Sequence, residues 1–216
     1  MKEKFIQELS KNNGEKYLID LLPKLFQIAE MDSSRSGKIG MEVGSLRERV
    51  LIAFFIALFG KKNVITEIPI TKYELDVICF GEKISIKTNT GVGTPKLIWT
   101  VDSQKATEFA KNYVPKCSMI YVCIDWLNKS DCGGFYYIPL KSQLNVLEKL
   151  TIDKYIKLPK IGTNPRGVEL SMDALKMLLN SPETKKIAIE WNRSKTNYSP
   201  YSRWIEEWRK IIKKQN

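Results

Sequence analysis

Two short runs, YELDVIC (73–79) and KISIKT (83–88), joined by Phe80-Gly81-Glu82, decide the fold of this chain. Both runs alternate polar and apolar residues, as half-buried strands do. The glycine between them predicts a tight turn, so the two runs are expected to form a β-hairpin. A two-residue loop at Gly81-Glu82 would place Asp76 opposite Lys87 on the neighbouring strand.

The two faces of this hairpin differ in chemistry, because successive side chains point to opposite sides of a strand. Asp76, Ser85 and Lys87 share one face. The opposite face is expected to be wholly apolar and contains Leu75, Val77, Cys79, Ile84 and Ile86. A carboxylate facing an ammonium can be an ordinary cross-strand ion pair. It is also the minimal geometry of a metal-dependent nuclease, in which the acid holds a divalent ion and the lysine positions or deprotonates the attacking water.

Composition limits the classes of protein to consider. The 216 residues suffice for one domain with a sizeable core, and 43% of them are hydrophobic without any run of membrane-spanning length. The N-terminus is charged throughout, so no secretory signal is expected. The four cysteines form no CxxC pair, which favours reduced thiols in a cytoplasmic protein. The net charge of +11 favours a polyanionic partner, most often nucleic acid.

The chain contains no histidine. This excludes Ser-His-Asp and Cys-His mechanisms and zinc sites that use histidine. An enzyme with this composition must work with carboxylates, lysine or other side chains, and a hard cation such as Mg²⁺ suits those ligands. No glycine-rich phosphate loop is present, so a nucleotide cofactor is not expected.

The other patterns predict an α/β protein with a mixed central β-sheet flanked by helices. Upstream of the hairpin, the predicted elements are helices 2–12, 15–30 and 41–59, a polar loop 31–40 and a strand 63–69. Downstream, they are helix 103–113, strands 118–124 and 133–138, helices 140–150 and 171–179, strand 185–191 and helix 201–214. In the last helix, Trp204, Ile205, Trp208 and Ile212 recur at helical spacing and predict a buried stripe.

A nuclease needs more than one carboxylate to hold its metal, and the helix before the hairpin offers two. Glu42 and Glu48 are six residues apart, about 600° of helical rotation, so at most one of them faces the Asp76 strand. An acid in the first helical turn also stabilises the helix dipole, which suits Glu42. Glu48 has a further alternative, an ion pair with Arg47 or Arg49.

The order of these motifs resembles the PD-(D/E)XK nuclease superfamily, and especially a small type II restriction endonuclease. A helix carries Gly44-Ser45-Leu46-Arg47-Glu48-Arg49, Asp76 follows on a strand, and Ser85-Ile86-Lys87 stands on the next. The resemblance covers roughly residues 41–125. The chain departs from the pattern twice: Leu75 replaces the proline, and Ser85 stands where the second acid belongs.

The resemblance implies a restriction-endonuclease-like core with helical additions at both ends. The single domain 1–216 would contain an N-terminal helical extension (1–40), a catalytic core (41–150) and elements for DNA recognition or dimer formation (151–216). Asp76, Lys87, Glu48 and Ser85 would form the catalytic group. The Mg²⁺ ligands would be Asp76, Glu48 and the Ile86 carbonyl, with Glu42 as the second choice of glutamate.

The implied function is cleavage of double-stranded DNA at a short specific sequence by a cytoplasmic homodimer, one component of a restriction–modification system. Two alternatives stay open on the sequence: a structure-selective nuclease of the resolvase or repair type, and a non-catalytic nucleic-acid-binding protein. Candidate DNA contacts are donors and cations in the loops and in the helix at 41–59. They are Arg35, Lys38, Arg47, Asn89, Thr94, Lys96, Asn164, Arg166, Arg193 and Lys195.

Overall fold

The computed structural model describes residues 4–35, 38–40, 42–69, 74–91, 93–98, 102–159 and 167–215. The helices are α1 Lys4–Lys11, α2 Gly14–Ser33, α3 Val43–Phe59, α4 Ser103–Asn112, α5 Leu140–Leu150, α6 Ile152–Tyr155, α7 Met172–Leu179 and α8 Ser202–Gln215. The strands are β1 Ser34–Arg35, β2 Lys38–Ile39, β3 Val64–Ile65, β4 Val77–Cys79, β5 Glu82–Thr90, β6 Lys96–Ile98, β7 Ser118–Ile124, β8 Gly134–Ile138, β9 Ile156–Lys157, β10 Val168–Leu170 and β11 Lys185–Ala188.

A six-stranded mixed sheet in the order β11-β8-β7-β5-β4-β3 forms the centre of the molecule. β5 and β7 run parallel, and every other neighbouring pair in this sheet is antiparallel. The chain between β5 and β7 contains α4, as a crossover between parallel strands requires. The predicted fold class, a mixed sheet flanked by helices, is confirmed.

Each face of the central sheet packs against its own group of helices. On one face, Phe5 of α1, Phe26 of α2 and Phe55 of α3 join the apolar side of the hairpin in one buried cluster. On the other face, α4, α5 and α7 cover Met119, Tyr121 and further β7 residues, together with a small sheet of order β6-β10-β9. The alternating pattern of β5 therefore separates a fully apolar face from the face that carries Ser85 and Lys87.

The hairpin between β4 and β5 has a different loop from the predicted one. Cys79 pairs with Glu82, so Phe80 and Gly81 form the two-residue loop, both with positive φ (53° and 84°) as a type I′ turn requires. Asp76 consequently lies opposite Ser85 and not opposite Lys87. Because the register error is two residues, it preserves which side chains share a face.

Other predictions of detail were also wrong. The strand predicted over 63–69 is restricted to β3 in the described part of that range. The loop predicted over 31–40 holds the end of α2 and a short β1–β2 hairpin, in which Ser34 pairs with Ile39. Trp204, Ile205, Trp208 and Ile212 are exposed and do not form a buried stripe. Within the described residues, no helix has both the length and the apolar character needed to cross a membrane.

Candidate active site

Asp76 immediately precedes β4, at the end of the pairing between β4 and β5. Its N–H donates to the Ile84 carbonyl (3.1 Å), and its carboxylate Oδ2 accepts from the Ile86 N–H at 2.6 Å. The carboxylate therefore accepts the hydrogen bond from β5 that a backbone carbonyl of a longer β4 would otherwise accept. Because the N–H and C=O of one strand residue point to the same side, the Ile86 carbonyl also faces the edge where Asp76 lies.

Lys87 and Ser85 approach the same oxygen of Asp76. The Lys87 Nζ lies 3.7 Å from Asp76 Oδ2, with both side chains 16% exposed, and the Ser85 hydroxyl donates to that oxygen at 3.4 Å. Burial raises the pKa of Asp76, while Lys87, the Ile86 N–H and Ser85 act in the opposite direction. The three residues predicted to share one face of the hairpin therefore lie together.

Glu48 reaches this group from α3. Burial and the neighbouring charge of Asp76 raise the pKa of Glu48 to about 7, against weaker opposing effects of Lys87 and Arg49. Its carboxylate therefore lies within the electrostatic field of the hairpin residues. Glu42 is exposed at the N-terminus of α3, and its carboxylate folds over Gly40. The structure thus brings Glu48 to Asp76 and leaves Glu42 at the surface.

The donor set at this site suits a small hard cation. Two carboxylates (Asp76 and Glu48) and the carbonyl of Ile86 are all oxygen donors, which Mg²⁺ prefers, and Mg²⁺ usually retains several waters alongside few protein ligands. Asp76 and Glu48 are half-buried acids with raised pKa values, and a divalent cation bound by both would relieve the repulsion between their charges. The described residues contain no cluster of three or more His, Cys, Asp or Glu side chains able to hold a metal. A metal here would rely on two carboxylates and the backbone.

A buried ion pair that sequence reasoning missed lies one residue from Glu48. The Arg47 Nη2 donates to Glu30 Oε1 of α2 at 2.5 Å and to Thr90 Oγ1 of β5 at 3.0 Å, and the Arg47 and Glu30 side chains are only 4% and 2% exposed. Arg47 was predicted as a DNA contact; its burial against Glu30 removes it from the surface, because α3 turns this side chain toward α2. Arg47 instead ties α3, which carries Glu48, to β5, which carries Lys87.

Glu30 binds two further groups from distant parts of the chain. Its Oε1 also accepts from the Trp126 Nε1 at 2.7 Å, and its Oε2 pairs with the Arg193 Nη2 at 2.7 Å. The Arg193 guanidinium lies 4.3 Å from the centre of the Trp126 ring. Arg193, another predicted DNA contact, is therefore engaged with Glu30, although its side chain keeps 48% exposure.

Glu74 is a second buried acid that the sequence predictions missed. Its Oε2 accepts from the Lys116 N–H at 3.2 Å, and burial raises its pKa against the effects of Tyr113, Lys116 and Lys87. A signal for it was present, because Glu74 is two residues before Asp76 and strand periodicity puts both on one side.

Three of the predicted DNA contacts lie between the end of β5 and the start of β6: Asn89 in β5, Thr94 in the connecting loop and Lys96 in β6. The Asn89 Nδ2 donates to the Gly91 carbonyl at 3.3 Å, and Thr94 Oγ1 donates to Glu169 Oε2 at 3.2 Å. Lys96 is half-buried in β6 opposite Glu169. Asn89 and Thr94 thus shape the loop that follows β5.

The remaining predicted contacts are distributed over the surface or lie outside the description. Lys38 in β2 and Lys195 after β11 are exposed. Arg35 is described only as a backbone position in β1, and Asn164 and Arg166 lie outside the described residues. The structure therefore brings Asp76, Ser85, Lys87 and Glu48 to one site, leaves Glu42 at the surface, and does not test these three contacts.

Comparisons with known proteins agree with the geometry. A family model described as restriction endonuclease ThaI matches residues 15–210. A solved structure described as a restriction endonuclease in complex with substrate DNA is 46% identical, with a TM-score of 0.86, covering 96% of this chain and 100% of that chain. No curated protein matches the sequence. The predicted activity, site-specific cleavage of DNA by a type II endonuclease, is confirmed. The chain belongs to the ThaI restriction endonuclease family.

Proposed function

We propose that this endonuclease hydrolyses both strands of its DNA site with Mg²⁺ held by Asp76, Glu48 and the Ile86 carbonyl. The observation that carries this proposal is the placement of Glu48 of α3 beside the contacts that Asp76 makes with Lys87, Ser85 and Ile86. Burial and the charge of Asp76 raise the pKa of Glu48 there to about 7. The charges of the two carboxylates repel each other in the ionised state, and a divalent cation bound by both offsets that repulsion. When bound, Mg²⁺ supplies Lewis-acid polarisation of the scissile phosphate.

Lys87 acts on the attacking water. Its ammonium, 3.7 Å from Asp76 Oδ2, lies beside the proposed metal ligands. From there the ammonium orients the water, whereas acceptance of the water's proton requires the neutral amine form of Lys87. The ammonium also offsets charge that develops on the phosphate in the transition state. Loss of the ammonium is expected to reduce turnover by about 10²–10⁴-fold, the usual contribution of such a group.

Ser85 orients Asp76 and does not bind the metal. Its side chain is buried, and its hydroxyl donates to Asp76 Oδ2. A donor at this position keeps one carboxylate oxygen occupied and directs the other toward the cation. Ser85 thereby fills the position that an acid usually takes in the PD-(D/E)XK pattern.

Sequence readout and backbone contact are assigned to the loops around the site. We place Asn89, Thr94 and Lys96 beside the scissile strand, and Lys38 and Lys195 against phosphates, to which cations contribute without base specificity. Arg35, Asn164 and Arg166 keep their predicted DNA contacts. The net charge of +11 supports a strong electrostatic contribution to binding that falls as salt rises.

The working form is a homodimer, since each chain provides one active site and two strands must be cut. All four cysteines carry free thiols, which supports a reducing compartment, the cytoplasm. A partner methyltransferase would protect host DNA in the restriction–modification system.

Digestion of a long linear duplex with and without Mg²⁺ tests the proposal. The wild type should give discrete bands only with the metal, and Asp76→Ala and Lys87→Ala should both lose them while still binding the duplex. Glu42→Gln is the matched control, because Glu42 is on the same helix as Glu48 but exposed. Bands that persist in Asp76→Ala, or that form in EDTA, would contradict the assignment.

A further inference from the structure

The C-terminal helix α8 makes no contribution to either buried cluster of the described residues. Its described side chains, from Ser202 to Lys213, are all exposed. They include two tryptophans, Trp204 and Trp208, which are 60% and 64% exposed. Monomeric proteins rarely leave contiguous apolar surface of this kind uncovered, so α8 is expected to have a partner.

The apolar residues of α8 form one stripe. At 100° per residue, Trp204, Ile205, Trp208, Ile211 and Ile212 fall within an arc of about 120°. This is the width of a helix face that packs against another helix. The charged residues occupy the rest of the circumference.

The two halves of α8 differ in the sign of their net charge. The first half holds Glu206 and Glu207 together with Arg203, a net charge of −1, and the second half holds Arg209, Lys210, Lys213 and Lys214, a net charge of +4. Two copies of α8 in antiparallel orientation bring each acidic half against the basic half of the other, and their helix dipoles also oppose each other favourably. A parallel pair would place like charges together. The pattern is therefore self-complementary about a two-fold axis perpendicular to the helix.

We propose that α8 is the dimerisation helix of this endonuclease and that its apolar stripe packs, antiparallel, against the α8 of a second copy. The inference rests on the proposed function in one respect, the need for two active sites to cut two strands. Charge complementarity between the two halves of the helix and the exposed stripe select the second copy as the occupant.

Neither DNA nor a lipid surface matches α8 as well. Duplex DNA offers phosphates to the basic half but no apolar surface for Trp204, Trp208 and the isoleucines. A bilayer would accept the stripe and the cations, yet Glu206 and Glu207 oppose binding to an anionic headgroup layer. Both alternatives are distinguished by the experiment below.

The segment that leads into α8 is fastened to the core, so a dimer formed there would hold both catalytic centres in a fixed relation. Gln27 exchanges two hydrogen bonds with the backbone of Ser194 (2.8 and 2.9 Å), and the Tyr198 hydroxyl donates to Asp32 at 2.5 Å. Gln27 and Asp32 belong to α2, which also binds Arg47 of α3 through Glu30.

The first experiment measures mass in solution by sedimentation velocity, without DNA or metal, on the Asp76→Ala protein. The chain of 24.9 kDa is expected to sediment as a dimer of twice that mass. Replacing Trp204, Trp208 and Ile212 by serine should raise the dissociation constant at least about 100-fold and give monomers. The circular dichroism and thermal midpoint of the monomer should be retained, because these side chains are exposed in the single chain.

The second experiment uses charge exchange as its control. Glu206→Lys with Glu207→Lys makes α8 entirely basic, and Arg209→Glu, Lys210→Glu and Lys213→Glu make it predominantly acidic. Each variant alone should be monomeric, and an equimolar mixture should form a 1:1 heterodimer. Dimer formation by the mixture would show that both variants are folded and that the loss of dimers in each variant alone comes from charge repulsion.

A wild type that stays monomeric at tens of micromolar, or a serine variant that stays dimeric, would overturn the proposal. So would wild-type monomers that bind phosphatidylglycerol vesicles through α8, or a serine variant that keeps its dimer and loses only duplex binding. These outcomes do not depend on catalysis. A monomer that cuts both strands refutes the interface alone, and a dimer through α8 that cuts nothing refutes the proposed function alone.

Discussion

Replacing Glu48 by glutamine is expected to stabilise the metal-free protein at alkaline pH while abolishing cleavage. The pKa of Glu48 is raised from 4.5 to about 7 by burial and by Asp76. The folded state therefore holds a proton that the unfolded chain releases. For such a group, stability is full below pH 4.5 and falls as the pH rises toward 7.

The size of the effect follows from the shift. At 1.36 kcal/mol for each pKa unit, the ionised Glu48 costs at most about 3 kcal/mol at pH 8. Glu48 retains partial exposure, so solvent screening lowers this to about 1–2 kcal/mol. Glutamine, which is neutral like the protonated acid, removes that cost. For a protein of this size the thermal midpoint should rise by about 2–8 °C at pH 8.

Differential scanning calorimetry in EDTA at pH 4.5 and pH 8 tests this reasoning. The difference between the Glu48→Gln protein and the wild type should be present at pH 8 and vanish at pH 4.5. Glu42→Gln is the control and should lose only the small stabilisation that an exposed acid gives a helix N-terminus. An equal difference at both pH values, or a lower midpoint for Glu48→Gln at pH 8, would refute the assignment of Glu48 to the charged site.

Three further predictions concern the same region. Calcium affinity, measured by calorimetry without DNA, should fall about tenfold per pH unit below 7, because the cation must displace the proton of Glu48; a pH-independent affinity would contradict this. Arg47→Met should lower the free energy of unfolding, measured with urea, by about 3–5 kcal/mol, because Glu30 loses its buried partner. The loss should be smaller when Arg47→Met is combined with Glu30→Gln. Additive losses would argue against coupling between the two residues. Ser85→Asp should restore part of the Mg²⁺-dependent cleavage to the Glu48→Gln enzyme, whereas no gain would show that the two positions do not exchange roles.

The hairpin shows how far local sequence patterns carry. Alternation in 73–79 and 83–88 was sufficient to predict two strands and the grouping of Asp76, Ser85 and Lys87. It was insufficient for the turn, because a phenylalanine with positive φ is unfavourable on its own. Phe80 adopts that conformation in a packed environment, with its ring 5.0 Å from that of Phe59. Tertiary packing therefore determines which two residues form the loop, and a local sequence pattern does not contain that information.

The buried ion pair shows where prediction from sequence ends. The partners of Glu30 are 17, 96 and 163 positions away, on α3, after β7 and after β11. No periodicity links such positions, and each arginine on its own is equally suited to a phosphate. Similarly, helical spacing in α8 correctly identified one apolar face, but spacing does not say whether that face is covered by the same chain or by another.

Serine at position 85 and glutamate at position 48 form one electrostatic arrangement. Burial raises the pKa of Asp76, and Lys87, the Ile86 N–H and the Ser85 hydroxyl oppose that shift because all three approach the same carboxylate oxygen. A carboxylate at position 85 would remove one of these donors and add a third negative charge beside a single lysine. The pKa of Glu48 is already about 7. A further negative charge would raise it more, so that one of the acids would hold a proton at neutral pH. A site whose second acid comes from the helix therefore favours a hydrogen-bond donor on the strand, and the departure from the family pattern at Ser85 follows from the presence of Glu48.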